Sequence, residues 1–156
     1  MFVYDFVPVD ERFDAAADLL VVDSARWLCR AATAAYLATA TSAVPDRLAG
    51  DPGQAVAEQV SLDLGPIRAR DDAVIVPLRW SGPGAPSLFS ELEGDLQLAP
   101  LDVERSHLSL FGNYDTLEPG LKRRADAARM QRLAEASVRA FLHRVSDSLS
   151  AARRPR

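Results

Sequence analysis

The groups from which chemistry would have to be built in this 156-residue chain are few: two histidines, one cysteine and scattered carboxylates and hydroxyls. The stretch HLSLFGNYDT places His107 beside Ser106 and Ser109, with Asn113, Tyr114 and Asp115 following. Such side chains suit proton transfer or activation of a nucleophile. The alternation of the stretch argues otherwise. In a strand, successive side chains go to opposite faces, so Leu108, Leu110, Gly112 and Tyr114 share one face. His107, Ser109, Phe111 and Asn113 then form the other, solvated one. His143 falls on the far side of a helix from its apolar stripe. Both histidines therefore read as surface groups, and no spacing of His, Cys, Asp or Glu matches a metal site.

Other catalytic arrangements are missing as well. There is no GxSxG elbow, and Cys29 sits within a helical pattern with no histidine near it in sequence. GDPGQAV and SGPGAPS lack the Lys-Ser/Thr of a phosphate-binding loop and read as turns. Glu93 and Asp95 share a strand face, but Gln97 continues it as a solvated polar stripe. No catalytic residue, metal or cofactor is expected. Two large rings stand out instead: Trp80 and Tyr114 each end an apolar strand face and carry one polar atom, which suits either a ligand wall or core filling.

The elements that position these residues follow from periodicity. FVYDFVPV puts Phe2, Tyr4 and Phe6 on one strand face, with Pro8 tolerable only near an edge or strand end. Asp10 is placed to cap a short helix with Phe13, Ala16, Ala17 and Leu20 on one stripe, and Asp23 or Ser24 to cap a second. The alanine-rich second helix has a thin apolar face anchored by Trp27, Leu28 and Leu37. Residues 41–56 read as a connection rich in Pro and Gly. From Glu58 the period becomes two: Val60, Leu62 and Leu64; then Val74, Val76, Leu78 and Trp80; then Leu92, Gly94, Leu96 and Leu98. RARDD reads as a turn between the first two of these runs, and LDVER as one before the HLSLFGNYDT strand. Gly94 and Gly112 on the apolar faces either leave room for a ligand or mark a bulge that curves the sheet. After EPG, a long helix carries Met130, Ala134, Val138, Phe141, Val145 and Leu149 on one stripe, with Arg129, Arg132, Glu135, Arg139 and Asp147 off it. Residues from about 150 to 156 read as a frayed basic tail.

Composition bounds the class. Hydrophobic residues make up 48% and charged residues 26%, as in ordinary globular domains, and the length fits one domain spanning 1–156. One cysteine excludes an intrachain disulfide, and no stretch reads as a signal peptide or membrane span, so a cytoplasmic protein is expected. A single lysine, Lys122, against seventeen arginines reflects coding in a GC-rich genome and points to a bacterial source. The net charge of −4 divides unevenly: residues 121–156 carry +7 and residues 1–120 carry −11. The basic helix either complements the acidic body or meets an acidic partner. No aromatic residues interleave with its arginines to stack bases, so nucleic acid is not an expected partner.

Strand, two helices, a run of antiparallel strands and one long helix is the order of the helix-grip fold. With FVYDFVPVDERFDAAADLL, VIVPLRW and LFSELEGDLQLAPLDVERSHLSLFGNYDTLEPG feeding a helix that contains EASVRAFLHRV, the chain resembles the SRPBCC (START-like) superfamily. That resemblance implies an α+β fold in which a curved antiparallel sheet wraps the C-terminal helix around an apolar cavity. It implies a small hydrophobic ligand, such as a lipid, polyketide or aromatic compound, with Trp80, Leu96, Leu110, Tyr114 and Phe141 as wall residues. Family members also include polyketide cyclase/dehydrase-like enzymes, so catalysis on such a ligand is the rival reading. A third is an interaction module using the basic helix.

Overall fold

The structure, a computed structural model, describes residues 1–43, 60–82, 91–115 and 124–151. Strand β1 (Phe2–Val9) is followed by helices α1 (Phe13–Val21) and α2 (Ser24–Ala43), then β2 (Ser61–Leu64), β3 (Arg68–Ala69), β4 (Val74–Ser81), β5 (Glu91–Pro100), β6 (Ser106–Asp115) and α3 (Arg124–Ala151). All pairings are antiparallel, and the sheet order is β1-β6-β5-β4-β2 with β3 also on β4. This is the helix-grip order read from the sequence: one sheet face is covered by helices, with α3 packed against β1 and α2. The short β3 is an addition. RARDD supplies both its two residues and the turn, closed by Arg70 N–H donating to the Ala73 carbonyl at 2.7 Å.

Side-chain alternation matches the register. Val74, Val76, Leu78 and Trp80 are buried on β4, and Leu92, Leu96 and Leu98 on β5, while Glu93 is exposed. On β1 the buried residues are Val3, Val7 and Val9, so Phe2, Tyr4 and Phe6 lie on the outer face, 60%, 55% and 59% exposed. The outer face of β6 is drier than its composition implies. Ser109 is 6% exposed and His107 is half-buried, because β1 and β5 flank both positions.

The helix starts differ from expectation in detail. Asp10 does not cap α1; the cap position is Arg12, with no side-chain bond, and Asp10 N–H instead meets Ser150 Oγ at 3.1 Å. Asp23 has φ 50, a left-handed conformation that Asp tolerates. Its carbonyl accepts from the N–H groups of Arg26 and Trp27, which lets α2 start directly after α1. On α2 the anchors are Leu28 and Tyr36, 0% and 1% exposed, whereas Trp27 and Leu37 are only half-buried. Alanines carry the rest of that face and let α2 approach α3 closely. Among the described residues, no helix is long and apolar enough to cross a membrane.

Helix α3 runs alongside β1 in the same direction. Four contacts mark the path: Gln131 to the Phe2 carbonyl, Arg139 to Asp5, Ser146 to the Pro8 carbonyl and Ser150 to Asp10 N–H. The helix rises roughly 28 Å from Gln131 to Ser150 and the strand roughly 26 Å from Phe2 to Asp10, so the two stay in step. These contacts also blunt an edge strand. Met1 and Tyr114 exchange both backbone bonds, at 2.8 and 2.9 Å, so alternation turns the backbone groups of Phe2, Tyr4, Phe6 and Pro8 outward. Gln131 and Ser146 occupy two of those carbonyls, Asp5 Oδ1 accepts from Phe6 N–H, and Pro8 has no N–H to offer. The region expected to fray is helical to Ala151, and residues 152–156 lie outside the described residues.

Candidate functional site

The strand register assembles the residues picked out as a cavity wall. Leu62, Trp80, Leu92 and Tyr114 form one inner row across β2, β4, β5 and β6. Two inner rows further along, Val76, Leu96 and Leu110 form another. Between them lies Leu78–Gly94–Gly112, whose two central positions carry no side chain. Phe141 reaches this region from α3, and its ring meets Trp80 at 5.4 Å between centroids with a 47° tilt, a favourable aromatic contact. The row of Ser61, Ser81, Glu91 and Asp115, next to the Trp80–Tyr114 row, is where β2 and β5 begin and β4 and β6 end.

All five proposed wall residues face the interior, and all are closed over. Trp80, Leu96, Leu110 and Phe141 are 0% exposed and Tyr114 1%, which leaves no room for a water molecule against any of them. Two depressions lie elsewhere. One of about 390 Å³ sits beside Asp63, Pro77, Arg79, Glu93 and Asp95, and one of about 750 Å³ runs along the outward side of α2 at Arg26, Cys29, Arg30 and Thr33.

The glycine pair has a mechanical role. A Cβ on Gly94 would stand 2.8 Å from the Gly112 Cα, and one on Gly112 equally close to the Gly94 Cα. Each would also strike the backbone of the residue preceding its partner. The missing side chains therefore allow a close approach of two backbones, and the space they vacate is taken by the neighbouring strand.

Tyr114 is held by more than packing. Its hydroxyl donates to Gln131 Oε1 at 2.5 Å and lies 2.9 Å from Met1 Sδ, while Gln131 Nε2 donates to Glu135 Oε1 at 2.6 Å. Sequence reasoning selected Tyr114 but missed Gln131 and Glu135. The available signal was their i,i+4 spacing on one flank of the α3 stripe. Burial, and then the Glu135 carboxylate, push the phenol above its ordinary pKa. The folded protein therefore holds this proton more tightly than the unfolded chain does. The resulting stability is fully present below about pH 10 and is lost as pH rises through Tyr114's raised value. Tyr114→Phe should cost about 1 kcal/mol near neutrality, by losing the Gln131 bond, and should flatten the alkaline fall in urea midpoint. Parallel pH profiles for the two proteins would contradict this account.

The remaining polar candidates are placed as surface chemistry. Glu93 and Asp95 point outward, where Arg79 reaches Glu91 and Glu93 at 3.5 and 3.7 Å and Arg68 reaches Asp95 at 3.9 Å. His143 is exposed, and Cys29 is a half-buried free thiol. No cluster of His, Cys, Asp and Glu suited to a metal occurs among the described residues. On the basic helix, Arg139 Nε bonds Asp5 Oδ2 at 2.8 Å, which places one of its cations on an acidic group of the same fold. The side chain of Met130 and the two Pro/Gly loops read as turns, apart from Ser81 and Gly82, lie outside the described residues.

No family model matches the chain, and no curated protein matches its sequence. Solved structures with a similar fold include the Zhui aromatase/cyclase from Streptomyces sp. R1128, with 14% identity over 98% of each chain and a TM-score of 0.40. Ara h 8.0201 matches with 8% identity over 93% of this chain and 97% of that one, TM-score 0.41. A protein from Thermobifida fusca matches with 12% identity over 99% and 97%, TM-score 0.45. At such identities and scores the likeness says nothing about activity, and the fold assignment rests on the element order and strand register described above.

Proposed function

We propose that the chain binds a small, mostly apolar molecule between its sheet and α3, at the end where Trp80, Leu92, Tyr114 and Phe141 meet. The observation that supports this reading is the placing of the two amphipathic rings Trp80 and Tyr114 in one inner row at the end of the sheet, with Phe141 of α3 against Trp80. Binding requires the Trp80–Phe141 pair to separate, so the ligand replaces an existing aromatic contact and its affinity is reduced by the cost of that opening. A cyclase-like catalyst fits less well, because the Tyr114 hydroxyl at this end of the sheet is already committed to Gln131.

The chain has two tryptophans, so Trp27→Phe leaves Trp80 as the sole reporter. Titration of that variant with the neutral dye N-phenyl-1-naphthylamine should quench Trp80 and raise dye emission in a saturable way, with the protein still folded. Unchanged Trp80 emission at high dye concentration overturns the reading. Tyr114→Phe separates binder from catalyst: dye affinity should stay within a few-fold of wild type, whereas an enzyme using that hydroxyl would lose turnover and leave binding intact.

A further inference from the structure

The stripe by which α3 enters the core contains one group that nothing in the interior satisfies. Ser137 is 0% exposed and its Oγ has no hydrogen-bond partner. Buried hydroxyls are rarely left in this state, and each exception calls for a reason. A serine in a helix has an easy remedy in the carbonyl four residues earlier, which Thr39 and Ser148 both use, to Ala35 and Arg144.

Its position is specific. At 100° per residue, the α3 side chains that reach β1, Gln131, Arg139, Ser146 and Ser150, define one flank of the helix. Ser137 lies on the opposite flank, toward α2, one turn before Phe141. Gln131 stands level with Phe2, so Ser137 is roughly 9 Å further along α3, or two to three residues down the strands. That is the level of Tyr4 and Asp5, opposite Phe111 and Leu110, next to the inner row of Leu96 and Leu110. An unpaired hydroxyl thus sits on the inner side of α3, one turn from the ring that must move for anything to enter.

We infer that Ser137 is the polar anchor of the ligand site, and that its ligand is an uncharged, mostly apolar molecule with one hydrogen-bonding oxygen, such as a phenol, alcohol or ketone. This rests on the pocket reading above and sharpens it. Charge is excluded by the surroundings: among the described residues, the buried polar groups are serines, Thr39 and Glu11, with no buried cation to pair with a carboxylate. A fatty acid or other anion would enter without a counter-charge.

The test is displacement of N-phenyl-1-naphthylamine from the full chain by naphthalene, 2-naphthol and 2-naphthoate. Wild type should bind 2-naphthol about tenfold more tightly than naphthalene, with 2-naphthoate weakest. Ser137→Ala should remove that preference, weakening 2-naphthol about tenfold while naphthalene changes by less than twofold. The variant should melt at or above the wild-type temperature, since an unsatisfied hydroxyl has been replaced by a strong helix former. If the dye binds but the ratio of 2-naphthol to naphthalene is the same in both proteins, or if 2-naphthoate binds most tightly, the anchor role is refuted and the pocket stands. If the dye itself does not bind, the pocket reading falls and takes the anchor with it.

Discussion

Gly112→Ala should cost about 3 kcal/mol or more of folding stability, read as a lower urea midpoint with the wild-type slope. The added methyl would sit 2.8 Å from the Gly94 Cα and 3.0 Å from the Glu93 carbonyl carbon, both of them backbone. A flexible side chain could swing away; a central strand cannot, because β5 is held by β4 on its other edge through eight paired positions. Relief has to come from spreading β5 and β6 apart at their midpoint, which strains the hydrogen bonds on either side. Gly94→Ala meets the mirror-image collision with Gly112 and should cost a similar amount. The double variant should cost clearly less than the two singles together, because spreading the strands once accommodates both methyls. Additive losses, or a single-variant loss below about 0.5 kcal/mol, would show that no close approach exists at this point.

That glycine pair illustrates how far the sequence could be read. Alternation placed Gly94 and Gly112 on the inner face, but whether they make room or make contact depends on the register of β5 against β6, which no local pattern encodes. The same applies to Tyr114. Its face followed from period two, yet its partner Gln131 is seventeen residues away across an interface. Elements with strong periodicity, β4, β5 and the Val138–Leu149 part of α3, came out as expected because each buries one face, whereas on β6 Ser109 of the outer face is buried as well. The errors fall where competing signals were weak. Alanines hid the anchoring role of Tyr36 on α2, and the aromatic content of β1 drew attention to its outer face while three valines carry its core. Asp5 was the visible clue there, a charge in line with Val3 and Val7, and its reason is Arg139 on α3.

Phe141→Ala should be the most damaging truncation in the interior, at about 3–5 kcal/mol, and also the most informative. Its ring is fully buried and lies against Trp80. Helix α3 cannot settle into the void, because Arg139 and Ser146 on one side of Phe141 and the α2 contact on the other hold it at its present height. The cavity should therefore persist, apolar and near the size of a benzene ring, and such cavities stay dry and accept apolar guests. Benzene should stabilise Phe141→Ala by up to about 2.7 kcal/mol at a hundredfold excess over its dissociation constant, read as a higher melting temperature, and leave wild type unmoved. Phe141→Leu, expected to lose less, keeps the experiment usable if the alanine variant is too unstable to purify. A loss below about 1.5 kcal/mol, or no response to benzene, would mean that neighbouring side chains fill the space. In that case separating the Trp80–Phe141 pair would create no room for a ligand, and the proposed site would lose its physical basis.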